Sequence, residues 1–342
     1  MPLLLTQDDL RPLITDKSLL ERGFRAVERA IVDHQQGRAG NVSYSQFGLT
    51  GPSGGAICIY CAAPLGAAVV RVFAAPGGPI ARNGQLMLLF DAGSGELQAI
   101  VSGDDMNQVR TGIAAAVGVR HLAPSRAQAL CVLGSGGQAR AHLRLIHHAL
   151  PDLRAVVWSP TPAHRQAFAT EMSRELDMEV QAVESAQMAV EGADIVTATG
   201  LLRGGQPAYD AAWLKPGALH VSVTRSAPPG LRATVYVPAL ERPRYLSGQR
   251  PGAPPGALPD LAPPPLPPAV PPYDDAPVEL ADVLTGKHPA RATEDETLVW
   301  ELAAMYCWEG AIASWILEWA SQSGAGKHFE LTSDAPGLFP SW

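Results

Sequence analysis

Only four cysteines occur in 342 residues, at Cys58, Cys61, Cys131 and Cys307. Cys58 and Cys61 form a C-x-x-C in "AICIYCAAP", but no second pair is present to complete a zinc site. The "AICIY" segment reads as strand, on which residues three apart face opposite sides. Two buried thiols are expected there, and no metal site. Charge is also sparse: 17% of residues are charged and the formal net charge is −7, with no Lys/Arg block. A nucleic-acid partner needs clustered cations and is therefore not expected. No window reaches the roughly 18 uninterrupted apolar residues that a spanning helix requires. The opening "MPLLLTQDDL" has no positive n-region and only a short apolar run, so it does not read as a signal peptide. The expectation is a cytoplasmic protein with neither nucleic acid nor membrane as partner.

Hydrophobic residues make up 46% of the chain, and its length suits two domains. Residues 1–40 read as helical: "SLLERGFRAVERAIVDHQQG" has apolar residues at helical spacing and stops at Gly37. Residues 41–102 read as β-rich, with "GAAVVRVFAA" and "GQLMLLFDAGSGELQAIVSG" as apolar runs, the second broken by the turn "DAGSGE". "NQVRTGIAAAVGVRHLAP" predicts a small-residue helix ending before Pro124. Beyond residue 127, short apolar runs ("AQALCVLGSGGQ", "RAVVWSPTP", "GADIVTATG", "GALHVSVTR") alternate with helical stretches. That β-α-β texture implies a parallel sheet covered by helices. The Pro-rich loop 249–277 predicts an extended excursion of polyproline character, and the segment that follows reads as mostly helix.

The most informative stretch is "CVLGSGGQA", a G-x-G-x-x-A after a strand and before a helix. Gly134 permits the tight turn, Gly136 lets backbone approach a pyrophosphate, and Ala139 allows close helix–strand packing. The helix start would offer its free N–H groups to the phosphates. The next strand runs out at Ser159 with no acidic residue to bond a ribose 2′-hydroxyl, while Ser159, Thr161 and Arg165 could meet a 2′-phosphate. NADP(H) is therefore favoured over NAD(H).

Four segments together resemble the ornithine cyclodeaminase / mu-crystallin family. These are "VRTGIAAAVGVRHLA", "VLGSGGQARAHL", "GADIVTATG" and "VELADVLTGKHPARATEDETLVW", in the family's order and spacing. The resemblance implies an α/β chain: a Rossmann-type dinucleotide-binding domain over 125–310 and an α+β substrate-binding and dimerisation domain over 1–124 plus 311–342. It implies a homodimer paired through the sheet of that second domain. By matching positions, it places Arg110 at the substrate anion and Thr111 at the cofactor phosphate. Gly134, Ser135, Gly136, Gly137 and Gln138 match the cofactor turn, and Thr199 a position beside the ribose and nicotinamide. Thr111 is expected to cap its helix.

Several positions depart from the family pattern. Arg71 stands where the family usually has Lys, and Pro238, or a position close to it, stands where cyclodeaminases have the catalytic Asp. Tyr44 lies roughly at the Arg of a substrate clamp, and Thr224-Arg225 replace small glycines near the nicotinamide. An arginine stays protonated and cannot serve in acid–base work as a desolvated lysine can. Cyclodeamination would also lack a base. Arg71 and Arg110, with Tyr44 and Arg225, are thus expected to line a pocket for an anionic small molecule, and Thr224 to lie at the cofactor. The expected activity is NAD(P)H-dependent reduction of an imine or 2-oxo compound, with Tyr44, Tyr60, Asp104 and His220 as candidate proton donors. The alternatives are a redox-neutral lyase that retains NAD, and a non-catalytic NADPH-binding protein.

Overall fold

The computed structural model describes residues 1–36, 38, 40–49, 55–63, 67–76, 85–91, 93–199, 208–223, 226–238, 277–302 and 307–331. Two sheets organise these residues. The larger has eight strands, all parallel, in the order Val278–Glu279, Thr234–Val237, Leu298–Glu301, Leu219–Ser222, Ile195–Ala198, Ala129–Leu133, Arg154–Trp158, Val180–Ala182. Helices Gly137–Ala149 and Pro162–Leu176 follow the first two strands in sequence. The chain builds outward from Ala129–Leu133 in one direction and then returns to build in the other. The strand order reverses between Ala129–Leu133 and Ile195–Ala198, the point where open α/β sheets bind ligands. Central strands such as Ile195–Ala198 and Leu219–Ser222 are buried at every residue, as expected of a sheet covered on both faces.

The second sheet has seven strands, ordered Lys327–His328, Leu3–Leu5, Leu97–Ser102, Gln85–Asp91, Ala67–Pro76, Gly55–Ala63, Gly40–Leu49, mostly antiparallel. Its strands alternate. Leu5, Val69, Arg71, Met87, Leu89, Ala99 and Val101 point into the core, while Leu4, Val70, Leu86, Leu88 and Ile100 face outward and remain partly or well exposed. Helices Lys17–Gln35 and Cys307–Ser323 pack together beside the buried face. Asp16 fixes the start of the first by accepting from the N–H groups of Ser18 and Leu19, at 2.8 and 3.2 Å. Leu20, Phe24, Val27 and Ile31 then recur at helical spacing as its buried stripe.

Helix Met106–Leu122 joins the two halves. It is buried almost all round, with Ile113, Ala114, Ala115, Ala116 and Val117 fully covered. Its small residues let neighbours come close: Trp300 donates its indole N–H to Ala114 O at 3.0 Å, and a Cβ at Gly118 would lie 2.3 Å from that nitrogen.

Three expectations need correction. Residues 1–40 are not all helical, because Leu3–Leu5 forms a strand parallel to Leu97–Ser102; three residues carry no readable period. The stretch after the Pro-rich loop contains Leu298–Glu301, a strand inside the parallel sheet rather than helix. Thr111 does not cap its helix, which begins five residues earlier at Met106; the Thr111 hydroxyl donates inside the helix to Asn107 O at 2.8 Å.

Candidate active site

The turn after Ala129–Leu133 has the geometry that a phosphate cradle needs. Gly134 sits at φ +125°, and its N–H donates to Trp158 O at 2.8 Å. A Cβ there would lie 2.4 Å from Thr199 Oγ1, so only glycine fits. Thr199 is drawn in by donating both its hydroxyl and its N–H to Leu133 O, at 3.0 and 3.1 Å. Two segments 65 residues apart thus meet at the reversal point. Gly136 is the N-cap of helix Gly137–Ala149 and has no side chain to cap with. Among the described residues nothing stands within 4 Å of where its Cβ would be, and the first N–H groups of the helix have no intrahelical acceptor. Ala139 is fully buried against this turn. The Gln138 Oε1 is buried without a hydrogen-bond partner among the described residues.

At the end of the neighbouring strand, Ser159 Oγ lies 3.0 Å from Ser135 Oγ. Arg165, itself buried, donates from Nη1 to Ser159 O at 3.0 Å. Thr161 is exposed and precedes helix Pro162–Leu176. No carboxylate follows Trp158 in the chain until Glu171.

A second cluster adjoins this turn. Gln108, in the first turn of helix Met106–Leu122, has its Nε2 only 2.9 Å from where a Cβ on Gly137 would be. The same helical turn supplies Asn107 and Arg110. Arg71 faces inward from Ala67–Pro76, in cross-strand register with Met87. Its Nη1 donates to Glu309 Oε1 at 2.8 Å, and its Nη2 donates to Gln85 Oε1 and Asn107 Oδ1 at 2.5 and 2.8 Å. Arg110 places Nε 2.6 Å from the same Glu309 oxygen and donates from Nη2 to Asn107 Oδ1 at 2.9 Å. Glu309 lies in the first turn of helix Cys307–Ser323, where the helix dipole favours a carboxylate. The Arg71 and Glu309 side chains are 3% and 1% exposed, whereas Arg110 is 14% exposed. Arg110 is therefore the less buried of the two arginines.

The structure brings Gly134, Ser135, Ser159 and Thr199 together around the turn, and Arg71 and Arg110 together one helical turn away. Thr224 and Arg225 lie outside the described residues, as does the Pro-rich loop apart from Pro277; for Tyr44 and Tyr60 only the backbone strands are described. The same holds for Cys58 and Cys61, which share strand Gly55–Ala63. His220 is fully buried in Leu219–Ser222, with Nδ1 2.9 Å from Tyr209 OH. Burial lowers its pKa to about 3, so it is neutral and a poor proton source. Asp104 is half-buried in the turn before Met106. Pro238 is buried after strand Thr234–Val237 and contributes no carboxylate. Among the described residues no group of three or more His, Cys, Asp or Glu is placed to hold a metal, and no helix is long and apolar enough to cross a membrane. The sequence reading missed Glu309, Asn107 and Gln85. One signal was available: Glu309 is a lone acid in the apolar run "AAMYCWEGAIASWIL".

The model of the ornithine cyclodeaminase/mu-crystallin family matches residues 79–324. Ketimine reductase mu-crystallin of Rattus norvegicus is 29% identical over 146 residues, which are 43% of this chain and 44% of that protein; the match thus spans less than half of that relative. Among solved structures, the Delta(1)-pyrroline-2-carboxylate reductase of Thermococcus litoralis in complex with NADH and L-proline superposes with a TM-score of 0.74 at 22% identity, covering 96% of this chain and all of the other. The iminosuccinate reductase of Paracoccus denitrificans in complex with NAD+ does so at 0.75 and 18%, covering 96% and 99%. At these identities the likeness establishes the fold.

Proposed function

The chain belongs to the ornithine cyclodeaminase/mu-crystallin family, and from that premise we propose that it is an NAD(P)H-dependent reductase of imines, or of 2-oxo compounds, that carry a carboxylate. The observation that carries this reading is the junction at Gln108 and Gly137, which sets Arg110 within one helical turn of the cofactor turn. A carboxylate held by Arg110 would lie beside the nicotinamide end of a dinucleotide whose pyrophosphate rests on residues 134–138. The bound nicotinamide would supply the hydride, and the protein would orient both partners. Arg71, with three described partners, acts here as a support for Arg110 and Glu309. The relatives named as ketimine, pyrroline-2-carboxylate and iminosuccinate reductases support reduction of C=N. Arg71 and Pro238, in place of a titratable lysine and a carboxylate, weigh against a lyase.

Preference for NADP(H) is supported by the Ser135 and Ser159 hydroxyls, the nearby Arg165 and the missing carboxylate after Trp158. A homodimer is supported by the outward ladder Leu4, Ile100, Leu88 and Val70, four apolar residues in register across neighbouring strands. Such a face is costly to leave in water. The activity test follows nicotinamide absorbance with purified protein, each cofactor, and a panel of cyclic imine carboxylates and of 2-oxo acids with amines. Cofactor oxidation on a carboxylate-bearing imine, absent with the uncharged analogue, is the expected result. Bound cofactor with no oxidation across the panel would contradict the reading.

A further inference from the structure

We propose that Glu301 is a positioning residue for the nicotinamide half of the cofactor. It accepts the Ser222 hydroxyl hydrogen bond, which leaves Ser222 to accept from the Ser226 N–H and holds Ser226 against the end of strand Ile195–Ala198. The inference rests on the reductase reading and deepens it by naming residues that seat the reacting ring.

Leu133, Ala198, Ser222 and Glu301 are cross-strand partners in register at the carboxyl ends of four neighbouring parallel strands. Leu133 leads directly into Gly134, and Ala198 into Thr199, whose hydroxyl is bonded to Leu133 O. Ligands of open α/β sheets lie in the crevice beyond such ends. With the adenosine ribose towards Ser159 on one side of the reversal point, the other half of a dinucleotide extends over Ala198 and Ser222. Neighbouring strands about 4.8 Å apart put Ser222 about 10 Å from Leu133, within the span of a nicotinamide riboside.

Three polar side chains form a row across these strand ends. Ser222 Oγ donates to Glu301 Oε2 at 2.7 Å, Ser226 N–H donates to Ser222 Oγ at 2.9 Å, and Ser226 Oγ donates to Ala198 O at 3.2 Å. Ser222, Ser226 and Glu301 are at most 1% exposed, so bulk water offers no alternative partner. A serine hydroxyl has one proton to give. A carboxylate accepts it more strongly than a neutral group does, which fixes the hydroxyl and turns its lone pairs to the Ser226 N–H. Glu301 has interactions beyond Ser222, and its net charge plays no part in this role. A glutamine of nearly the same shape can turn its amide nitrogen to Ser222 and compete with the Ser226 N–H for one oxygen. An ionised carboxylate only accepts, so it cannot compete. Burying that carboxylate is costly; what it gains is a single arrangement of the row.

The test measures binding by calorimetry on the full-length protein with two matched pairs: NADPH with 2′-phospho-ADP-ribose, and NADH with ADP-ribose. Each pair differs only in the nicotinamide, so its affinity ratio is independent of the 2′-phosphate preference. Wild type is expected to bind the nicotinamide-bearing member more tightly. Ser222→Ala and Glu301→Gln are each expected to weaken that member by about tenfold and the truncated member by no more than about twofold. In the double variant the Glu301→Gln loss should vanish, because Glu301 acts through Ser222. A role in stability alone would weaken both members alike. Thermal melting identifies any variant that is not folded; Ser226→Ala, which removes the bond to Ala198 O and keeps the backbone N–H, is then expected to show the same selective loss. No nicotinamide preference in wild type, equal losses for both members, an unchanged ratio in the folded variants, or additive losses in the double variant would each overturn the proposal. The two readings fail separately. Cofactor oxidation on a carboxylate imine with equal losses removes the positioning role and leaves the reductase. Selective loss of the nicotinamide-bearing member without oxidation on any substrate does the reverse.

Discussion

The glycine turn and the arginine cluster are neighbours built on opposite principles. The turn is made of consecutive residues, 134–139, and its chemistry is mostly backbone: a positive φ at Gly134, a helix start at Gly136, and close packing at Ala139. The cluster is made of side chains from positions 71, 107, 110 and 309, on one strand and two helices. Backbone sites tolerate few substitutions yet are rigid without help. Side-chain sites need partners to hold them, and Arg71 is such a partner, locked by Glu309, Gln85 and Asn107. The contrast predicts that damage to the turn removes cofactor binding outright, while damage to the cluster changes which substrate is used and how well.

The sharpest way to break this contrast is Gly134→Val. It forces a β-branched residue to φ +125° and drives its Cβ towards Thr199 Oγ1. Strain of about 1–3 kcal/mol together with the clash should weaken NADPH binding by roughly a hundredfold, read by quenching of protein fluorescence. Retained affinity would mean that the turn does not hold the dinucleotide. Arg110→Ala comes next. Losing this guanidinium and leaving Glu309 less compensated should raise KM for a carboxylate imine by roughly thirtyfold, about 2 kcal/mol, with NADPH affinity nearly unchanged. A matched loss of NADPH affinity would merge the two regions into one site.

Legibility followed the same division. Strands and helices beyond residue 127 could be read from apolar runs, and the turn from its glycines, because these signals are local. Leu3–Leu5 and Leu298–Glu301 were missed since three or four residues carry no period, and only pairing with distant strands makes them strands. Arg110 was legible through a resemblance spread over four segments. Glu309 was not, because nothing near it in sequence indicates that it meets Arg71, 238 positions away. Thr111 shows a subtler failure: its residue type suits a cap, but the helix extends past it to Met106 and turns the hydroxyl onto the helix's own backbone.

Smaller effects refine the comparison. Ser159→Asp places a carboxylate where a ribose hydroxyl or a 2′-phosphate would lie. It should shift the ratio of kcat/KM from NADPH towards NADH by about tenfold, while KM for the imine stays within about twofold. No shift would indicate that Ser159 does not face the ribose.

The buried histidines bear on stability in acid and least on activity near neutrality. Burial lowers the pKa of His142 and His220 from 6.5 to about 3, so below pH 6.5 the unfolded chain binds protons that the folded chain does not. Their contribution is fully present above pH 6.5. It falls as pH drops towards 3, at up to about 1.4 kcal/mol per unit for each histidine. His142→Gln, which can keep a hydrogen bond to Thr197, should flatten the acid limb of Tm against pH without moving the activity profile near neutrality. An unaltered acid limb would contradict the assignment.

The central claim is that hydride passes from the nicotinamide on the glycine turn to a carbon held beside Arg110. It is tested most directly with NADPH deuterated on the transferring face of C4 and a cyclic imine carboxylate, the product being analysed by mass spectrometry. The account predicts one deuterium at the former imine carbon and one equivalent of NADP+ formed. Product without deuterium and with no net cofactor consumed would contradict it and identify a redox-neutral lyase.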